Sequence, residues 1–355
     1  MQTLNLLKNS CKAVASFSKN RPINSVTEIK ITRLCNQRCR QCNIYEKQTE
    51  PKHLTYTNFR RVARRLQKYG SFVGFISGGE PILNPELPEI LLYSRKIFPL
   101  SVSLVSGLYF DYKKISKIVN LCLDEDINIQ TSLDGLDELG NYLRGVKNHS
   151  DTILNNMEKI ATKKEQMGSK SFLYANCVLS AINLSQIPEI INACKNAGWK
   201  VTIGLYHSLI ETTKVDGEMI IKDEGKFLKT VEFLKDNPDI LNLNTFIEGL
   251  PRILNNDFPD LCPFVDGKKS STRLTIMENA DLHLCFGEEI GNLLEDDLQS
   301  IFESEFYKQR LAQYRECKGC WSSCYTQKYL LFHPKNPQQA IHNFRKLLNL
   351  EVAAK

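Results

Sequence analysis

Cys35-Asn36-Gln37-Arg38-Cys39-Arg40-Gln41-Cys42 is the stretch that decides the reading of this chain. It sets three thiols at C-x3-C-x2-C spacing just after an apolar run, Val26-Thr27-Glu28-Ile29-Lys30-Ile31-Thr32. Three thiolates on one short loop can hold three irons of a [4Fe–4S] cube and leave the fourth iron open. An open iron is a reaction site, as a metal with a vacant position is catalytic rather than structural. Zinc loops use the same residue type, so the triplet needs a second signal. That signal is Ser77-Gly78-Gly79-Glu80-Pro81, about 35 residues further on. Gly78 and Gly79 let backbone approach a ligand with no Cβ in the way. Glu80 can face an ammonium group, and Pro81 fixes the exit from the preceding strand.

The cysteine loop and the GGEP turn together resemble the radical S-adenosylmethionine (SAM) enzymes. More loosely, the strand–helix rhythm extends the resemblance to about residue 210. It implies that Cys35, Cys39 and Cys42 hold the cluster and that SAM chelates the open iron. It also implies that the glycine-rich turn offers backbone groups to the SAM amino nitrogen, which makes Gly78, Gly79, Glu80 and Pro81 cofactor-binding candidates. The chain departs from the family pattern at Gln41, where an aromatic residue often precedes the third cysteine. Ser106, in Ser103-Leu104-Val105-Ser106-Gly107, stands where the family often carries a Thr-Asn-Gly turn. Ser132 and Asp134, in Gln130-Thr131-Ser132-Leu133-Asp134-Gly135, and Arg144-Gly145 downstream are similar to the family's S-x-D-G and R-G segments. Ser106 and Ser132 are then SAM contacts, and Arg144 a counter-ion to its carboxylate. Asp134-Gly135 also suits a plain turn after a strand.

Cys262, Cys285, Cys317, Cys320 and Cys324 form a second constellation, the last three at C-x2-C-x3-C spacing. With Gly291-Asn292 between them, they resemble the C-terminal SPASM/Twitch extension of radical SAM enzymes, which implies one auxiliary [4Fe–4S] cluster. Four ligands close such a cluster, so one of the five cysteines is left over. A structural zinc site uses the same residues equally well. Cys11, Cys122, Cys177 and Cys194 have no cysteine neighbours at ligand spacing and read as packed thiols.

Candidate strands at 26–32, 72–77, 101–106, 127–133, 172–179 and 200–206 alternate with amphipathic segments such as Phe59, Val62, Ala63, Leu66 and Tyr69. The fold class is α/β with a parallel sheet. The resemblance implies a partial (β/α)6 barrel at 26–215, with the site at the C-terminal strand ends. A small cysteine-rich α+β module of SPASM/Twitch type is expected at 262–330. An amphipathic basic segment is expected at 1–25, a helical linker at 216–261 with a helix near Lys222–Lys235, and a C-terminal helix at 331–355.

The chain has 355 residues, 42% of them hydrophobic, and twelve cysteines. No run nears the roughly 18 apolar residues of a membrane span. No secretory signal is recognisable, so the cysteines are read as metal ligands in a reducing cytoplasm. Residues 1–70 hold 15 Lys/Arg against 3 Asp/Glu. Part of that charge lies on one helix, at Arg60, Arg61, Arg64, Arg65 and Lys68. This face is either solvated or a dock for an acidic partner, such as a flavodoxin- or ferredoxin-like electron donor. Contact of residues 1–20 with a membrane surface is the lesser alternative to packing on the main domain.

The resemblance implies that the reduced cluster cleaves SAM to a 5′-deoxyadenosyl radical, which takes hydrogen from a substrate C–H bond. The substrate is a small molecule, sugar or lipid, or a peptide side chain. Tyr206 and His207 end the sixth strand and Glu211 follows, toward the cavity and without an assigned role. The alternative is a zinc-dependent nucleic-acid-binding protein, which leaves the GGEP turn and the βα units without a task.

Overall fold

The structure, a computed structural model, describes residues 6–12, 15, 23–46, 52–206, 214–255, 272–285, 289–317, 320–332, 334, 336–341 and 343. Six strands lie parallel: β1 (Asn24–Lys30), β2 (Val73–Ser77), β3 (Ser101–Val105), β4 (Asn128–Ser132), β5 (Leu173–Leu179) and β6 (Lys200–Leu205). Each consecutive pair is joined by a helical crossover. The crossover helices are α1 (Tyr56–Tyr69), α2 (Leu87–Ile97), α3 (Tyr112–Asp124), α4 (Asp137–Arg144), α5 (His149–Met167) and α6 (Ile187–Asn196). α1 shows why the sequence folds this way. Thr55 caps its first turn by accepting from Asn58 N, and Phe59, Val62, Ala63 and Leu66 recur at helical spacing and are buried against the sheet.

The C-terminal module does not build a sheet of its own. Its first strand, β7 (Thr272–Ile276), pairs in parallel with β1. β8 (Asp281–His283) and β9 (Glu289–Asn292) then continue as an antiparallel meander. All nine strands form one open sheet in the order β6-β5-β4-β3-β2-β1-β7-β8-β9. This is a partial barrel extended on its β1 edge by the C-terminal strands, and one continuous apolar core runs through both parts. The linker carries α7 (Glu224–Leu234) and α8 (Asn244–Gly249). α9 (Leu298–Glu303), α10 (Glu305–Tyr314) and α11 (Thr326–Phe332) follow β9.

The basic face of α1 is largely used inside the molecule. Arg61 Nη2 donates to Leu294 O at 2.9 Å, Arg65 Nη2 to Glu295 O at 3.0 Å, and Lys68 Nζ pairs with Asp297 at 2.8 Å. The guanidinium groups satisfy carbonyls of the turn after β9 and pin the module to the barrel. Residues 6–12 are helical and dock through Asn9 and Lys12, which donate to Ser71 O and Gln67 O. Leu7, 60% exposed, faces outward, and so does Cys11, which was expected to be a packed thiol. At the other end, residues 337–341 are helical behind Asn336, whose Oδ1 accepts from Gln339 N at 2.8 Å. No helix among the described residues is long and apolar enough to cross a membrane.

Candidate active site at the strand ends

Four of the candidate SAM-site segments leave the C-terminal end of a parallel strand, while Arg144-Gly145 closes α4. The cysteine loop follows β1, the GGEP turn β2, Ser106-Gly107 β3, and Leu133-Asp134-Gly135 β4. Backbone bonds lock the first two together: Gly79 N donates to Thr32 O at 2.8 Å and Glu80 N to Leu34 O at 2.7 Å. The glycines are needed for this contact. A Cβ on Gly78, whose φ is +148°, would stand 2.4 Å from Thr32 O, and one on Gly79 2.4 Å from Leu34 O. Room for the chain entering the cysteine loop is thus a demand on both glycines independent of any ligand.

The other flank of the loop rests on α4. Arg38 N and Arg40 N donate to Arg144 O and Leu143 O, and a Cβ on Gly145 would meet Arg38 O at 2.4 Å. Behind this contact lies a buried hub. Asp134 accepts from Arg144 Nη2 at 2.6 Å, from Gln41 Nε2 at 2.8 Å and from Val178 N at 2.8 Å. Gln41, the departure from the aromatic pattern, is therefore a brace that ties the third cysteine's neighbour to β4 and β5. Arg144 spends one nitrogen on Asp134 and directs another, Nη1, at Cys39 Sγ, 3.6 Å away.

Glu80 is buried, and its carboxylate accepts from Ser106 Oγ (2.8 Å), Gly107 N (2.8 Å) and Ile82 N (3.2 Å). Burial pushes its pKa up to about 7, while these bonds act in the opposite direction. The same Ser106 oxygen accepts from Leu108 N. Glu80 and Ser106 thus join the ends of β2 and β3 to each other. Pro81 is buried and opens a short 3-10 turn, Pro81–Leu83. Ser132 ends β4 opposite Asn176, and among the described residues its hydroxyl has no hydrogen-bond partner.

The three loop cysteines are free thiols, partly exposed. Burial pushes Cys35 up to about 12, with the Glu80 carboxylate adding to it, and burial raises Cys42 as well. A thiolate there calls for a compensating cation, and bound metal supplies one. Around them, several buried polar atoms have no partner among the described residues: the donors Gln37 Nε2, Arg40 Nη1 and Arg144 Nε, and the acceptors Asn36 Oδ1 and Gln41 Oε1. Leaving a buried polar group unpaired costs about 1–3 kcal/mol, so such a concentration marks a place where another group completes the bonding. Three thiols beside orphaned N–H donors fit an anionic, sulfur-rich cluster with a carboxylate-bearing ligand. Among the described residues, no three His, Cys, Asp or Glu side chains are grouped as around a single metal ion.

A cavity of about 310 Å³ lies inside the barrel, between the strands and residues 322–327. Gln130, Tyr174, Asn176 and Thr202 line it from the sheet, and Cys324 and Gln327 from the module. Its wall carries the half-buried pair Glu28–Arg273 at 2.7 Å, with Ser77 Oγ donating to Glu28 at 2.8 Å. Burial would raise the Glu28 carboxyl, but the charge of Arg273 and these bonds overcome it and hold the group down at about 2. The sequence signal for this pair was a lone acid in the middle of an apolar strand, whose partner lies 245 positions away.

Of the auxiliary cysteines, Cys285 follows β8, Cys317 is exposed, and Cys320 and Cys324 are half-buried. Cys262 lies outside the described residues, as do His207 and Glu211. Tyr206 is buried and donates to Lys214 O. Cys122, Cys177 and Cys194 are buried in the core.

Fold and site together define a SAM-type partial barrel, and the comparisons agree. Residues 29–223 match the Radical SAM superfamily, and the chain belongs to it. It is 27% identical over 177 residues to Fe-coproporphyrin III synthase of Methanosarcina barkeri, a match covering 50% of this chain and 42% of that protein. It is 21% identical over 196 residues to the sporulation killing factor maturation protein SkfB of Bacillus subtilis, covering 55% of this chain and 45% of that one. The matched part is less than half the length of either relative. Among solved structures, SuiB of Streptococcus suis bound to S-adenosylmethionine superposes with a TM-score of 0.64 at 19% identity, over 94% of this chain and 80% of that one. The anSMEcpe structure with AdoMet and a Cp18Cys peptide gives 0.58 at 16% identity, over 93% and 99%. These two likenesses concern the fold. Membership leaves the zinc-dependent nucleic-acid reading without support.

Proposed function

We propose that this chain is a radical SAM enzyme with one auxiliary iron–sulfur cluster, acting on a C–H bond of a small polar substrate or of a single peptide side chain. The observation that carries the reading is the meeting of the cysteine loop, the GGEP turn and the orphaned N–H donors at one end of a parallel sheet. When bound, the cluster and SAM supply one-electron cleavage of a carbon–sulfur bond and a radical able to take hydrogen from an unactivated carbon.

The residues divide the remaining work. Cys35, Cys39 and Cys42 hold the cluster. With the Glu80 carboxylate turned toward Ser106 and Gly107, the backbone of Gly78 and Gly79 is what meets an amino group. Ser132, with its hydroxyl unengaged, is the side-chain contact for SAM. Ser106, Asp134, Arg144 and Pro81 shape the site from behind. Four of Cys262, Cys285, Cys317, Cys320 and Cys324 hold the auxiliary cluster, and Cys324 gives that cluster a wall in the substrate cavity. The cavity's amides, hydroxyls and Glu28–Arg273 pair offer partners to a polar group, beside the apolar Phe75, Val105, Val178 and Leu205. The barrel walls keep water and stray hydrogen donors from the radical. An acidic flavodoxin- or ferredoxin-like donor supplies the electron.

Iron and acid-labile sulfide per chain, after anaerobic reconstitution, test the assignment. About eight of each is expected, falling to about four in Cys35/Cys39/Cys42→Ala, as two cubane sites require. About four in both proteins would leave the only cluster in the C-terminal module and defeat the proposal.

A further inference from the structure

Gln37 lies between Cys35 and Cys39 and is 4% exposed. Its Oε1 accepts from the Cys39 thiol at 3.6 Å, and its Nε2 has no partner among the described residues. The amide is boxed in: a Cβ on Gly107 would stand 3.1 Å from both of its polar atoms. From another side Arg144 Nη1 donates to the same sulfur at 3.6 Å, its guanidinium fixed by Asp134. Cys35 and Cys42 differ: their side-chain sulfurs accept from backbone, Gln37 N at 3.4 Å and Ile44 N at 3.5 Å. Two side-chain groups therefore converge on Cys39.

Cysteine bonded to iron is a thiolate with no proton to give. Gln37 Oε1 would then face an anionic sulfur with nothing between them. The terminal amide torsion is roughly two-fold, so a half-turn places Nε2 on the sulfur in the same space. That motion pairs the orphaned donor and removes the clash of lone pairs. We propose that Gln37 and Arg144 act as a donor pair on Cys39 that raises the reduction potential of the cluster held by the loop, with Asp134 as the residue that positions Arg144. The inference rests on the cluster assignment above. Its physical basis is that an added electron makes the sulfurs more negative, so N–H donors stabilise the reduced form more than the oxidised one.

The test is a potentiometric titration of the reconstituted full-length protein, read by electron paramagnetic resonance at the signal that changes when SAM is added. Gln37→Leu keeps the bulk and removes the N–H. Its one-electron reduction equilibrium is expected to move about tenfold toward the oxidised form, about 59 mV lower. Gln37→Glu should move further the same way, and Arg144→Lys, which keeps the charge, less than Arg144→Gln. An unmoved or raised potential in Gln37→Leu at full iron content overturns the proposal. A measurement on the unaltered sequence covers the case in which the variants take up no iron. With ¹⁵N in glutamine side-chain amides, pulsed resonance on the reduced protein should show a ¹⁵N coupling, and its absence overturns the proposal. If the wild-type protein shows no SAM-responsive signal at all, the cluster assignment itself has failed, a result distinct from an unmoved potential.

Discussion

Replacing Asp134 with alanine should reveal how much the buried hub contributes to holding the cysteine loop. The carboxylate is 2% exposed and Arg144 7% exposed, so water cannot take over when the acid is removed. Alanine deletes the 2.6 Å ion pair and the bonds from Gln41 and Val178 N, and leaves the guanidinium charge buried with only Cys39 in reach. Breaking one side of a buried pair costs about 3–5 kcal/mol, against about 0–1 kcal/mol for an exposed pair. Urea denaturation of the cluster-free protein, followed by tryptophan fluorescence, reads the loss as a lowered midpoint. The paired change Asp134→Leu with Arg144→Met removes both charges and should recover most of the lost stability, because the unpaired charge is the main penalty. A cost under about 1 kcal/mol for Asp134→Ala would refute the reasoning. So would a double variant as unstable as the single one.

Three further outcomes follow from the same geometry. Glu80 has a folded-state pKa of about 7, above its ordinary value, so its share of stability is full below about pH 4.5 and is lost as pH rises through 7. The cluster-free protein should lose roughly 3 kcal/mol across that window, and Glu80→Gln should flatten the slope; an equal slope in both proteins contradicts this. Gly79→Ala drives a methyl group into Leu34 O and Arg33 O, so iron uptake at the loop should fall together with thermal stability, and wild-type iron content would contradict it. Arg61→Ala with Arg65→Ala frees the carbonyls of residues 294–296, and hydrogen exchange should speed up there while β1–β6 stay protected; unchanged exchange would show that the arginines do not pin the module.

What the sequence disclosed and what it hid divide along sequence distance. The six parallel strands were legible because their apolar runs are short, regularly spaced and bounded by amphipathic helices such as α1. The cysteine loop and the GGEP turn were legible because each motif is contiguous. The Asp134–Arg144–Gln41 hub was not, since it depends on three segments meeting in space, and Gln41 looked only like a missing aromatic. Glu80 reads in the sequence as open to a ligand because its partners, Ser106 and Gly107, lie 26 and 27 positions further on. Similarly, Arg61, Arg65 and Lys68 read as a free basic face because nothing local shows the turn at 294–297 lying across them. The cysteine spacings of the module likewise said nothing of the pairing of Thr272–Ile276 with β1, by which its strands continue the barrel sheet.

The central claim is tested most directly by incubating the anaerobically reconstituted protein with SAM and dithionite and measuring 5′-deoxyadenosine and methionine by liquid chromatography. The account predicts both products in equal amounts from the wild-type chain and none from Cys35/Cys39/Cys42→Ala. Products at the same rate from both proteins, or from neither at full iron content, would contradict it.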